Sequence, residues 1–307
     1  ILRQKYIDIA PGETALTLNT KCYEAATEAF TELVQDISAG KLIRTKQDLD
    51  KRTFFPRFKR PAGGGVISWS SSCEEISALV RALNFGPHPN PLGVAKIAEE
   101  DNFFIVRNVD ISHFETESTP GTINEIGPDF LRISTNDKDL ILKQLSRFDG
   151  EAISISEFVA ELNLREGHKL QNLKEETAQR IEDGVKATCK YESYWVEKLL
   201  TLEPAAPPFA NSNSAFSDYE SASFSVPIEF LKFYKQSSDD HTLSDYLVAV
   251  FGAFLSRLVG NDSFDVGYNS FDPNGEFTGL ENLFVSQVPF RIDVDGRRHF
   301  MEFLRST

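Results

Sequence analysis

The chain has 307 residues, a formal net charge of −14 and 41% hydrophobic, 25% charged and 11% aromatic residues, the composition of a folded protein with room for about two domains. Disorder and collagen-like fibres are excluded, no apolar run approaches the roughly 20 residues a membrane-crossing helix needs, and the acidic balance opposes broad binding of polyanions. Cys22, Cys73 and Cys189 are odd in number and far apart, with no CxxC pair for zinc or redox chemistry, so they read as reduced thiols and the expected location is cytoplasmic. The opening on Ile1 and the amphipathic close at residues 300–307, without a Gly or Pro terminator, read as a piece of a longer polypeptide.

The first predicted element is a helix over residues 13–39, where Leu18, Cys22, Ala25, Ala26, Phe30, Leu33, Val34 and Ile37 recur at three- and four-residue spacing and Gly40 supplies a stop. Residues 41–60 then hold eight Lys or Arg against two acids, a basic island in an acidic chain. It admits two readings. One is a contact with phosphate, on a carrier-protein arm or on RNA; the other, which we prefer from sequence, is a surface segment whose Phe54, Phe55 and Phe58 pack inward while its cations stay wet. Gly63-Gly64-Gly65 lacks the Lys-Ser/Thr of a phosphate loop and reads as a joint.

Beyond the joint, Ser71 or Ser72 with Glu75 predicts a capped helix carrying Ile76, Leu79, Val80 and Leu83, stopped by Pro87, Pro89 and Pro91. Strands are expected at 94–98, 103–109, 121–126, 131–134 and 140–145. About five short strands after a helix suggest a small, partly open barrel. Ser154 and Glu157 cap a closing helix; residues 165–190 form a charged, solvated connector, expected to be helical; and residues 191–202 resume an amphipathic helix before a loop at 204–225. The last third predicts helices at 227–235 and 242–258, the second capped by Thr242 with Asp245 and ended by Gly260. Strands follow at 264–268 and 283–294, the second carrying Pro289 at an edge or bulge.

In order along the chain, Ile67-Ser68-Trp69, Ile76 to Leu83, Pro87 to Gly93, Pro120-Gly121-Thr122-Ile123, Thr135 and Asp137 before Leu140, and Ser154 to Phe158 ending at Gly167-His168-Lys169-Leu170 resemble the C-terminal barrel subdomain of folate-dependent formyltransferases. Residues 1–62, with Gly12-Glu13-Thr14-Ala15-Leu16-Thr17-Leu18, then resemble the tail of that family's Rossmann-like catalytic subdomain. The family's catalytic Asn, His and Asp and its Ser-Leu-Leu-Pro loop would precede Ile1, and no Asn-x-His pair occurs in this sequence. The C-terminal part resembles the second lobe of condensation domains in non-ribosomal peptide synthetases, carried by Tyr194-Trp195 to Leu199, Thr242 to Leu258 with Gly260, Asp265-Val266-Gly267, Gly279-Leu280, and Val288-Pro289-Phe290-Arg291 through Leu304; the His-His-x-x-x-Asp-Gly motif of the partner lobe is missing.

These resemblances imply an α+β, multidomain chain: a catalytic-subdomain tail at 1–62, an open OB-like barrel at 63–168, a charged helical linker at 169–212 and an incomplete α/β condensation-like lobe at 213–307. The function they imply is that of a synthetase loading region that N-formylates a carrier-bound aminoacyl group. The co-substrate would be 10-formyltetrahydrofolate, the acceptor would ride on phosphopantetheine, and a peptidyl carrier protein and an adenylation domain in the same polypeptide would be the partners. The chain by itself is expected to be inactive. The alternatives are a methionyl-tRNA formyltransferase-like enzyme, disfavoured by the acidic balance of residues 65–170, and a non-catalytic interaction scaffold. Formyl transfer needs a proton shuttle and an oxyanion donor. His88, in Pro87-His88-Pro89-Asn90-Pro91, and Asn84 beside it are the candidate substrate-binding residues, whereas His113, His168, His241 and His299 read as solvated. No residue cluster has metal-ligand spacing; Asp239-Asp240-His241 and the turns at 261–262 and 272–275 are explained by helix-cap and turn chemistry.

Overall fold

The structure, a computed structural model, describes residues 1–100, 102–208, 223–236, 241–269, 277–297 and 299–306. Most of the predicted loop at 204–225, Asp239-Asp240 and the turn at 272–275 lie outside these residues. The chain divides into two units, Ile1–Glu192 with Asn274–Phe284, and Ser193–Pro273 with Val285–Thr307.

Within the first unit, α1 (Ala15–Ser38) starts where the Thr14 hydroxyl accepts from the Thr17 N–H and the Thr17 side chain returns the bond. None of its residues is buried; its apolar stripe meets the chain's opening segment, Ile1, Leu2 and Ile7 facing Cys22, Ala26 and Phe30. Arg3 and Lys5 fasten that segment through Glu32 at 2.8 and 2.7 Å. The basic island runs exposed from Lys41 to Lys59. Phe54 and Phe55 are 71% and 77% exposed and Phe58 is 45% exposed, so the expected inward packing of these rings does not occur.

The glycine run is no joint. Gly63, Gly64 and Gly65 all have positive φ, and a Cβ on Gly64 would stand 2.7 Å from Ile181 Cγ2. Gly63 N–H donates to Glu182 Oε1 at 2.7 Å, which fixes the turn against α4 (Glu175–Thr188). The charged stretch expected to be wholly solvated thus contributes a helix with Ile181 and Gly184 buried. Phe284 packs on Gly184, where a Cβ would meet its ring at 2.7 Å; this packing explains why the strand expected from residue 283 begins only at Gln287.

Ser72 and Glu75 form the capping box of α2 (Cys73–Ala82) as the sequence predicts. An antiparallel sheet follows: β1 (Lys96–Glu99), β2 (Asn102–Glu115), β3 (Ile123–Ile126), β4 (Leu131–Ser134), β5 (Lys138–Ser146) and the short β6 (Ala152–Ile153). Its order is β1-β2-β5-β4-β3, with β6 on β5. Register shifts after Val106, Asn108 and Ile111 bend the 14-residue β2. Residues 168–170 pair with the chain leading into β3, through Ile123 N–H to the His168 carbonyl (2.8 Å) and Leu170 N–H to the Gly121 carbonyl (3.0 Å). His168, expected to be solvated, reaches across to Glu99 of β1 at 2.8 Å, so one segment touches both outer strands. Trp69, Ile76, Phe104, Ile123, Leu131, Leu140 and Phe158, the last from α3 (Ile155–Glu161), are all at most 2% exposed and form the core. The Phe104 and Phe158 rings meet edge to face, centroids 4.9 Å apart.

The second unit holds α6 (Ile228–Gln236), α7 (Leu243–Val259), the antiparallel pair β7 (Ser263–Asn269) and β8 (Gln287–Asp293), α8 (Phe300–Ser306), and all but the first residue of α5 (Glu192–Leu200). Thr242 and Asp245 cap α7 and Gly260, at φ +72°, ends it. Gly252 lets Ile292 approach α7. Tyr246, Ala249, Phe264, Ile292 and Phe303 are its buried centre. Pro289 stands opposite Gly267 in the two-stranded pair, an edge position as expected.

Candidate functional site

The end of α2 and the turn after it form a compact polar knot. Asn84 Oδ1 accepts the Gly86 N–H at 2.9 Å and its carbonyl accepts the Leu16 N–H at 3.1 Å, which ties the turn to the first turn of α1. Gly86, at φ +62°, lies so near that a Cβ would approach Leu16 Cδ2 to 2.6 Å. Arg81 adds a bond to the Glu13 carbonyl at 3.0 Å. The Glu13 carboxylate itself is buried against Lys21, whose ammonium holds it below the usual carboxylate range. Asn90, which sequence reasoning passed over, organises the turn's exit: its amide donates to the Leu83 carbonyl at 2.8 Å and to the Gly93 carbonyl, and its Oδ1 accepts the Leu92 N–H at 2.8 Å. Asn between two prolines was the available signal.

Asn84 and His88 line one cleft of about 160 Å³, with apolar walls from Val80, Leu83 and Ile105 and with Arg107 at its rim. His88 is exposed. The Asn84 side-chain oxygen is committed to the turn, so the NH2 is the group that this side chain can offer to the cleft. The Arg107 Nε–H donates to the Ser146 hydroxyl at 2.9 Å, an anchor that orients the guanidinium and that no local sequence pattern announces. The cleft therefore offers an imidazole, an amide and a guanidinium around an apolar floor. It can orient a polar acceptor by hydrogen bonds; it does not pair a nucleophile with an oriented base.

Elsewhere in this unit, buried ionisable groups serve the sheet. Lys96 sits under the glycine turn, donating to the Gly64 and Val94 carbonyls at 2.5 and 2.8 Å, and burial lowers its pKa to about 8. Asp137 accepts the Cys73 N–H at 2.7 Å, the main cause of its depressed pKa, and so caps α2 beside Ser72. Burial pushes the Cys73 thiol up to about 12, an inert packing group. Asp139 is held by Arg132 (2.7 Å) and Asn124 (2.9 Å). Among the described residues no three His, Cys, Asp or Glu side chains are grouped to hold a metal ion, and no helix is long and apolar enough to cross a membrane.

Residues 62–163 match the family model described as formyl transferase, C-terminal domain. The chain is 27% identical over 159 residues to a methionyl-tRNA formyltransferase of Desulfotalea psychrophila, an alignment covering 52% of this chain and 47% of that protein. It is 29% identical over 161 residues to the methionyl-tRNA formyltransferase of Nitrosospira multiformis, covering 52% and 48%. The chain thus spans about half the length of the curated relatives it matches.

Proposed function

We propose that residues 62–163 form the acceptor-facing domain of a formyltransferase that moves a one-carbon group from 10-formyltetrahydrofolate to the amine of an aminoacyl group. The observation that carries the reading is the family match at 62–163, which coincides with the α2, sheet and α3 assembly and includes the cleft at Asn84 and His88. In this reading the sheet is the family's open barrel. His88 and the Asn84 amide bind the acceptor, and the reacting Asn, His and Asp belong to a catalytic domain encoded with this one.

The names of the two relatives favour methionine carried on tRNA as the acceptor. A second reading keeps the reaction and places the amino acid on the phosphopantetheine arm of a peptidyl carrier protein, with an adenylation domain as a further partner. It is favoured by the net charge of −14 and by residues 213–307, which lie outside the family match and resemble a condensation lobe. Radiolabelled formyl transfer by the complete parent polypeptide distinguishes them: label on methionyl-tRNA supports the first, label on an aminoacyl carrier protein the second, and label on neither ends the proposal. The 307-residue chain by itself is expected to transfer no formyl group above background.

A further inference from the structure

The segment at 41–60 differs from the rest of the chain in charge. It carries eight cations in a chain of net charge −14, and among the described residues only Lys51, to Asp48 at 3.7 Å, and Arg60, to Glu192 at 3.5 Å, lie within reach of a carboxylate. Lys41, Arg44, Lys46, Arg52, Arg57 and Lys59 stay unpaired although the chain holds 46 acids. Its rings are displayed as well: Arg52 lies 5.6 Å from the centroid of exposed Phe54, and Arg57 lies 5.5 Å from that of Phe58. The exposed rings leave apolar area in water that a partner can cover, and the cations beside them favour a partner of opposite charge.

The end of the segment opens into a groove of about 460 Å³ between Phe58 and Arg60 on one side and α4 on the other, where Val185 is apolar and the Glu182 and Asp183 carboxylates stand beside the Lys186 ammonium. That volume admits one or two side chains.

We propose that this basic strap and its groove dock an acidic polypeptide segment, carboxylates on the strap's cations and one apolar side chain in the groove. Charge complementarity selects an acidic partner. The groove selects polypeptide over nucleic acid: Phe58 and Val185 face each other across it and suit an apolar side chain, which a peptide can set apart from its carboxylates and which a strand with a phosphate at every nucleotide lacks. The strong negative charge of the rest of the chain also opposes a long polyanion, and a short segment escapes that repulsion.

Fluorescence anisotropy of the full chain tests this, using a short fluorescein-labelled peptide rich in Glu and Asp with one Leu-Phe step. The comparison probes are the same peptide with Gln and Asn for the acids, and oligouridylate of equal formal charge. The acidic peptide is expected to bind at least about tenfold more tightly than either probe and to weaken as salt is raised. R52E/R57E/K59E is expected to weaken it by about tenfold or more, and Phe58→Ala by a few fold; these side chains are exposed, and circular dichroism confirms that the variants fold. Equal or absent binding of acidic and neutral peptides overturns the proposal, as does binding that the variants leave unchanged. Tighter binding of oligouridylate overturns it in favour of a nucleic-acid partner.

Discussion

Gly121 shows how tightly single positions constrain the first unit. Its φ is +90°, and an added Cβ would fall 2.5 Å from the Leu170 carbonyl and 3.4 Å from the Trp69 ring, so a side chain meets both backbone strain and a rigid backbone atom. Gly121→Ala is expected to cost about 3 kcal/mol. Urea unfolding followed through Trp69, with Trp195 replaced by Phe, measures it. Lys96 makes the complementary electrostatic case. Its folded pKa of about 8 lies below the ordinary lysine value of 10.5, so between these pH values the unfolded chain binds more protons and stability rises with pH. Below pH 8 the full cost of burying the charge, about 3 kcal/mol, is present. The stability difference between the native chain and Lys96→Met, followed from pH 7 to 10, is expected to shift in favour of the native chain by about that amount. Cys73, whose raised pKa destabilises the fold above about pH 9, is common to both proteins and cancels.

At the scale of elements, the second unit turns on Asp265, which is 3% exposed on β7. It accepts the Glu203 N–H at 2.8 Å and pairs with Lys198 of α5 at 3.1 Å and Arg291 of β8 at 2.8 Å. Burial alone would raise its pKa; the Glu203 N–H and the two cations outweigh burial and hold it below the usual carboxylate range. Its stabilising contribution is therefore complete above the ordinary Asp pKa and is lost as pH falls through the lower, folded value. Asp265→Asn leaves Lys198 and Arg291 short of a charge and is expected to cost about 3 kcal/mol, read from Trp195 fluorescence in the unfolding curve, with the acid-dependent part of the stability reduced. Elements were legible where local chemistry defines them. The Ser72–Glu75, Ser154–Glu157 and Thr242–Asp245 boxes start their helices where the hydroxyl and carboxylate spacing puts them. What failed depended on partners distant in sequence: the glycine run became a contact because Ile181 lies against it, and Phe284 left its expected strand for Gly184. The His168–Glu99 contact is invisible from sequence because nothing near His168 announces Glu99.

For the whole molecule, the candidate site was half legible. The proline-bounded turn pointed to Asn84 and His88, which do line one cleft, but the Arg107–Ser146 anchor and the role of Asn90 arise only when β2, β5 and the turn are brought together. If the cleft faces the formyl acceptor, as proposed, steady-state kinetics of the complete parent enzyme carrying His88→Ala will show it. KM for the aminoacyl acceptor is expected to rise by about tenfold while KM for 10-formyltetrahydrofolate stays unchanged, the pattern of a lost ground-state binding contact. An unchanged acceptor KM, or a rise confined to the folate, would contradict it.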